Sequence, residues 1–178
     1  YSLTYNASGD NNTGCGNGTL SNNSSGSNNT AFGKDALNDN TTADNNTACG
    51  YLALEKNTSG ARNTAVGANA LDANTTASYN TAVGYNALGA NTTGATNVAV
   101  GDQTLGSNTT GSHNVAVGQG ALFTNNADNN TAVGKDALSQ NSTGTANAAV
   151  GFEALKANTT GTMNAAFGNQ ALEANTTG

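Results

Sequence analysis

Side chains able to do chemistry are few in this chain, and they do not gather. The 178 residues hold one histidine, His113, two cysteines, Cys15 and Cys49, 11 carboxylates and 5 basic residues. Nucleophilic or acid–base catalysis needs a nucleophile or carboxylate beside a tuned partner, and a metal cage needs several ligands at close spacing. His113 has no second histidine or cysteine near it in sequence. Asp35, Asp102 and Asp136 form no regular acidic column of the kind that calcium-binding rolls use. No glycine-rich segment precedes a helix as a phosphate loop would. An enzyme therefore has no residue set to stand on, and neither cofactor nor metal is expected. The net charge of -6 and the pI near 4.3 disfavour nucleic acid, whose phosphates require a basic patch. No run approaches the roughly 20 apolar residues of a membrane span, so no membrane insertion is expected.

What does recur is asparagine followed by hydroxyl residues. Asn6, Asn40, Asn57, Asn74, Asn91, Asn108, Asn141, Asn158 and Asn175 all begin the Asn-x-Ser/Thr pattern of an N-glycosylation acceptor. Two readings are open for these residues. They could carry sugar, or they could stack as amides in a column. The second reading depends on how the chain repeats.

The repeat is Asn-Thr-Ala-Val-Gly-x-x-Ala-Leu-x-x-Asn-Thr-Thr-Gly-x-x, a seventeen-residue unit whose positions are numbered here from its first asparagine. Units begin at Asn12, Asn29, Asn46, Asn63, Asn80, Asn97, Asn114, Asn130, Asn147 and Asn164. Residues 1–11 form the rear of a preceding unit and 164–178 a truncated last one, so residues 1–178 read as a single array expected to continue beyond both ends or to be completed by a neighbour. One unit, 114–129, is a residue short, because Asn125-Asn126-Ala127 stands where the others have Asn-Thr-Thr-Gly. A loop belongs there, since loops tolerate deletions.

Thr64-Ala65-Val66 reads as a short strand, and a run such as 84–90 is too short for a helix between its glycine and asparagine signals. The expected fold is all-β: a parallel β-solenoid with one seventeen-residue repeat per coil, about ten and a half coils stacked at ~4.8 Å. Its expected core pairs the fourth and ninth positions of each unit, Val66 with Leu71, Val83 with Leu88, Val100 with Leu105 and Val117 with Leu122, the leucines lying on a second short strand. Cys15 and Cys49 share the fourth-position column two coils apart. At ~9.6 Å that spacing exceeds the ~7 Å limit of a disulfide, and buried free thiols are expected. Ala65 and Ala70 would then face outward as a smooth surface for another copy. The absence of proline fits a backbone that donates to its neighbour at every turn. Stacking would also align the first-position asparagines, Asn12 to Asn164, and the corner asparagines as two ladders of like amides.

The motif Asn-Thr-Ala-Val-Gly-x-x-Ala-Leu resembles the head repeats of trimeric autotransporter adhesins of the YadA type, and is similar to arrays in tail fibres and other large surface proteins. The resemblance spans the whole chain. This sequence departs from it in having a longer unit and an added Asn-Thr-Thr-Gly corner. The resemblance implies a left-handed parallel β-roll, an extracellular or cell-surface location, and a fibrous adhesive or spacer role without catalysis.

Three functions follow as expectations. The first is a structural shaft or self-assembling filament segment, since a coil burying one Val and one Leu is thinly stabilised against the ordering of seventeen residues. Its partner would be another copy, in a filament stack or a homotrimer. The second is an adhesin or tail-fibre module that binds host surface glycans through the Asn/Thr corners. The third, ice binding, needs an outward threonine face. With Val66 inward, Thr64 would point inward as well, and no thermal hysteresis is expected.

Overall fold

A computed structural model describes residues 2–178; Tyr1, the first residue of the array, lies outside the described residues. Ten three-residue strands form one sheet: β1 (Thr13–Cys15), β2 (Thr30–Phe32), β3 (Thr47–Cys49), β4 (Thr64–Val66), β5 (Thr81–Val83), β6 (Val98–Val100), β7 (Val115–Val117), β8 (Thr131–Val133), β9 (Ala148–Val150) and β10 (Ala165–Phe167). Each pairs in parallel with the next in sequence order, so the chain winds as a β-solenoid of about nine turns with one repeat per coil. Register advances by one unit at every step, Thr64 opposite Thr81 and Ala65 opposite Ala82. The short unit keeps that register, with Val115 opposite Thr131. Its lost residue is absorbed in the corner, where Asn125 and Ala127 still close the turn.

Backbone pairing continues around the coil outside the sheet. Asn69 N–H donates to Tyr51 O at 2.9 Å, Leu71 N–H to Ala87 O at 3.1 Å, and Gly84 N–H to Val66 O at 2.8 Å. Proline at any of these positions would delete a donor from the ladder.

The interior differs from the sequence expectation in phase. Within every strand from β2 on the third repeat position is the buried one: Ala65, Ala82, Ala99 and Ala116 are fully buried, as are Ala70 and Ala87 at the eighth position. Successive strand residues point to opposite faces, so threonine and valine on either side of the alanine both face out. Val66, Val100 and Val117 are 36–37% exposed and Val83 is partly exposed, so these four are not core residues. Cys15 and Cys49 are unpaired, as their spacing requires, but they are exposed rather than buried. Ala65 and Ala70, expected outside, are inside. The reason is volume. The coil is narrow, and the ninth-position leucine fills it, leaving only alanine-sized space beneath the strand.

Leu71, Leu88, Leu105 and Leu122 are fully buried, as expected, but no second strand carries them. They sit in turns with φ of 51–53°, a left-handed conformation that costs a branched residue roughly 1–2 kcal/mol. Asn91 N–H closes one such turn on Leu88 O at 3.0 Å. The turn aims leucine straight at the alanine pair, and burial offsets the strain.

This phase makes a direct prediction. Leu88→Ala should destabilise the chain by about 2–5 kcal/mol, while Val83→Ala, on the outer face, should cost under ~1 kcal/mol. Urea unfolding of the two variants checks it; equal losses would return valine to the core.

Candidate functional site

Three sets of side chains distinguish this solenoid from a bare rod: two buried asparagine columns, the outer face of the sheet, and scattered charges.

The corner asparagines form an amide-to-amide ladder. Asn74 Nδ2 donates to Asn57 Oδ1 at 2.9 Å and to Ala77 O at 3.1 Å, so each amide spends one N–H on the previous coil and one on its own corner. The same pair of bonds holds Asn40, Asn57, Asn91, Asn108, Asn141 and Asn158, all fully buried. Asn6 and Asn175 terminate the column, Asn6 accepting from Asn23 at 2.6 Å and Asn175 donating to Asn158 at 3.3 Å. Sugar on the inner members would need a nitrogen that is buried and already donated twice. The ladder therefore accounts for the acceptor-like spelling of the corners. It has one break: Asn125, in the short unit, gives its amide to Ala127 O alone, and Asn108 Oδ1 is left buried without a partner.

First-position asparagines couple differently from the expected stack of like amides. The backbone N–H of Asn80 donates to Asn63 Oδ1 at 2.9 Å, and Asn80 Nδ2 reaches across the coil to Gly94 O at 2.9 Å. Asn29, Asn46, Asn63, Asn97, Asn114, Asn130 and Asn147 repeat this geometry, with Asn12 and Asn164 at the ends. Direct amide contact adds to it only in places, as from Asn147 to Asn130 at 3.2 Å. Each such side chain braces the sheet edge against the opposite corner, a role that sequence alone did not separate from simple stacking.

The outer sheet face carries two columns. The second positions read Thr13, Thr30, Thr47, Thr64, Thr81, Val98, Val115, Thr131, Ala148 and Ala165; the fourth run from Cys15 through Phe32, Val66 and Val133 to Phe167. Neither column contains a charged residue. Phe32 and Phe167 are 44% and 70% exposed, large apolar groups left in solvent. The outward assignment was available in the sequence. Position four ranges from Cys to Phe between neighbouring units, whereas position three is alanine in every unit but the first. A close-packed interior does not tolerate such changes of volume.

The remaining polar groups stay apart. His113 sits at an exposed seventeenth position with φ of 59°, in the column of Arg62, Tyr79, Thr96 and Met163. Among the described residues no three His, Cys, Asp or Glu side chains gather to hold a metal. Hydrogen bonds from Lys156 and Gln170 hold the Glu153 carboxyl below its usual range, while burial pushes that of Asp72 up. Among the described residues no helix is long and apolar enough to cross a membrane. Comparison with protein-family models, with curated proteins and with solved structures finds no match to this chain.

Proposed function

We propose that the chain is a non-catalytic β-solenoid shaft that associates sideways with copies of itself through the outer face of its sheet. The observation that carries this reading is the pair of uncharged columns, threonine and valine, running the length of ten strands. At ~4.8 Å per step the strip is about 43 Å long, and at roughly 10 Å wide it spans some hundreds of Å². The strip is uncharged along both columns and apolar along the fourth-position one, and an exposed apolar surface of that order is often functional. Another copy matches it best, because both surfaces then repeat with the same period. A homotrimer about a shared axis satisfies every strip at once, and agrees with the resemblance to trimeric surface adhesins. An extracellular role as a fibre segment rests on that resemblance.

Cys15 and Cys49 lie in the fourth-position column and act as built-in reporters. The wild-type chain should sediment as a multimer, with thiols that label slowly. Val66→Lys, Val100→Lys and Val117→Lys together should give a folded monomer whose thiols label at once. A wild-type chain that stays monomeric at high concentration with fast-reacting thiols would sink the proposal.

Ice binding is the second reading, favoured by the outward threonines that the corrected strand phase exposes. Val98, Val115, Ala148 and Ala165 interrupt that column. A face covered by copies cannot also lie on ice, so thermal hysteresis from the wild-type chain would replace self-association as the use of this surface.

A further inference from the structure

The repeat leaves its sixth, seventh, tenth and eleventh positions open to any residue, and their side chains line a different side of the solenoid from the Thr/Val columns. Two departures from the repeat meet there. Phe123 is the one aromatic residue at a tenth position; the coils before and after it carry Gly106 and Ser139. Gly120 stands at a seventh position, where its neighbours are Gln103 and Asp136. Both belong to the unit that lost a residue.

Together they open a depression of about 390 Å³ lined by Gln103, Gln119, Phe123, Lys135, Asp136 and Gln140. Its floor is fitted rather than accidental. The Phe123 ring crosses Gly106 so closely that a Cβ there would stand 3.0 Å from a ring carbon. Gly120 leaves space into which the Asp136 carboxylate leans, its Oδ1 2.5 Å from where a Cβ would be. Thr124, beside them, is tied down by donating its hydroxyl to Ser139 O at 2.9 Å.

We propose that this depression binds a neutral saccharide, one or two pyranose rings of a glycan. The half-buried Phe123 ring offers an apolar face to the C–H side of a pyranose. Around it, the amides of Gln103, Gln119 and Gln140 and the Asp136 carboxylate supply donors and acceptors in planar pairs, the geometry that vicinal hydroxyls take. Lys135 lies 3.8 Å from Asp136, so the charges pair locally and the site favours neither phosphate nor cation. The volume sits at the lower end of the ~300–1,000 Å³ typical of small-molecule sites. An open depression sheds little water on binding, which sets the affinity in the millimolar range. The site is independent of self-association, because Val115 and Val117 leave the same coil on the sheet face.

The test is a titration of the isotope-labelled full chain with glucose, galactose, mannose and N-acetylglucosamine, followed by amide chemical shifts. At least one sugar should move residues 103–106, 119–124 and 135–140 and no others. Phe123→Ala should weaken that binding about tenfold, a loss of ~1.4 kcal/mol. Should that variant misfold, Gln103→Ala with Gln140→Ala, both exposed, takes its place and should weaken binding several-fold in a chain with an unchanged spectrum. Absence of shifts with all four sugars overturns the proposal. So do shifts centred on the corner threonines Thr92 and Thr109, or binding that a folded Phe123→Ala variant retains in full.

Discussion

Gly84→Ala should break the solenoid rather than weaken it. Gly84 has φ of 138°, a conformation closed to L-residues with side chains. A Cβ there would overlap the Gly101 carbonyl oxygen of the next coil and lie 2.6 Å from its carbonyl carbon. Both obstacles are backbone, so no rotamer change relieves them. The coils would have to part, and with them the bond from Gly101 N–H to Val83 O at 2.8 Å and the pairing of β5 with β6. The expected loss exceeds about 4 kcal/mol, beyond the range of ordinary substitutions. Because a repeat array is held by contacts between neighbours, amide exchange should report a local break between the coils on either side, together with a lowered or split thermal transition. Gly89→Ala provides the control: a Cβ there meets the side chain of Asn86, which can move, and the cost should stay within about 1 kcal/mol. Equal behaviour of the two variants would refute the close coil-to-coil approach at the fifth position.

Asn91→Asp is the second large effect, and it carries a pH signature. Asn91 is fully buried, donates to Asn74 Oδ1 at 3.3 Å and to Gly94 O at 2.9 Å, and accepts from Asn108 at 2.9 Å. An ionised aspartate has nothing to donate: the oxygen in the place of Nδ2 would face two acceptors, Asn74 Oδ1 and Gly94 O, while the other oxygen still accepts from Asn108. The expected loss at pH 7 is about 3–5 kcal/mol, that of an uncompensated buried charge. Asn91→Ala lacks the charge and should cost less, about 1–3 kcal/mol, because Gly94 O keeps its bond from Asn80 and Asn108 its bond to Gly111, leaving chiefly Asn74 Oδ1 unpaired. Burial raises the folded-state pKa of the new carboxyl above its unfolded value of ~3.9. The folded state then binds the proton more tightly than the unfolded one, so the penalty should shrink as pH falls through the raised pKa. Urea unfolding at pH 7 and pH 4 measures it. A pH-independent loss of under about 0.5 kcal/mol would mean that Asn91 is a surface residue after all, free to carry sugar.

These two substitutions sit on features of unequal legibility. Periodicity alone revealed the coil, the parallel sheet and the corner ladder, because a constant seventeen-residue spacing places like residue on like residue whatever the local conformation. Phase was harder to read. Ala65 and Val66 are both apolar, and a strand can bury only one of them; hydrophobicity favours valine, whereas the narrow coil accepts only alanine. That single inversion moved the threonines, the valines and both cysteines to the outside together, since a one-residue shift exchanges every side chain between faces. Leu88 was correctly placed inside, but from a left-handed turn that no propensity suggests for leucine. The depression beside Phe123 lay outside any reading of the repeat, because it is made from departures: Gly120 and Phe123 carry no motif and acquire meaning only when three coils stack.

The sheet face has a further consequence for assembly. Its columns are nearly invariant under a shift of one coil, so two copies displaced by about 4.8 Å would match almost as well as two in step. A shaft built on perfect repeats would have many nearly equal alignments and no preferred one. Phe32 set between Cys15 and Cys49, the adjacent Val98 and Val115 among threonines, and Phe167 at the far strand are the places where that translational symmetry fails. In the proposed self-association they would serve as index marks, by which one copy finds its height against another.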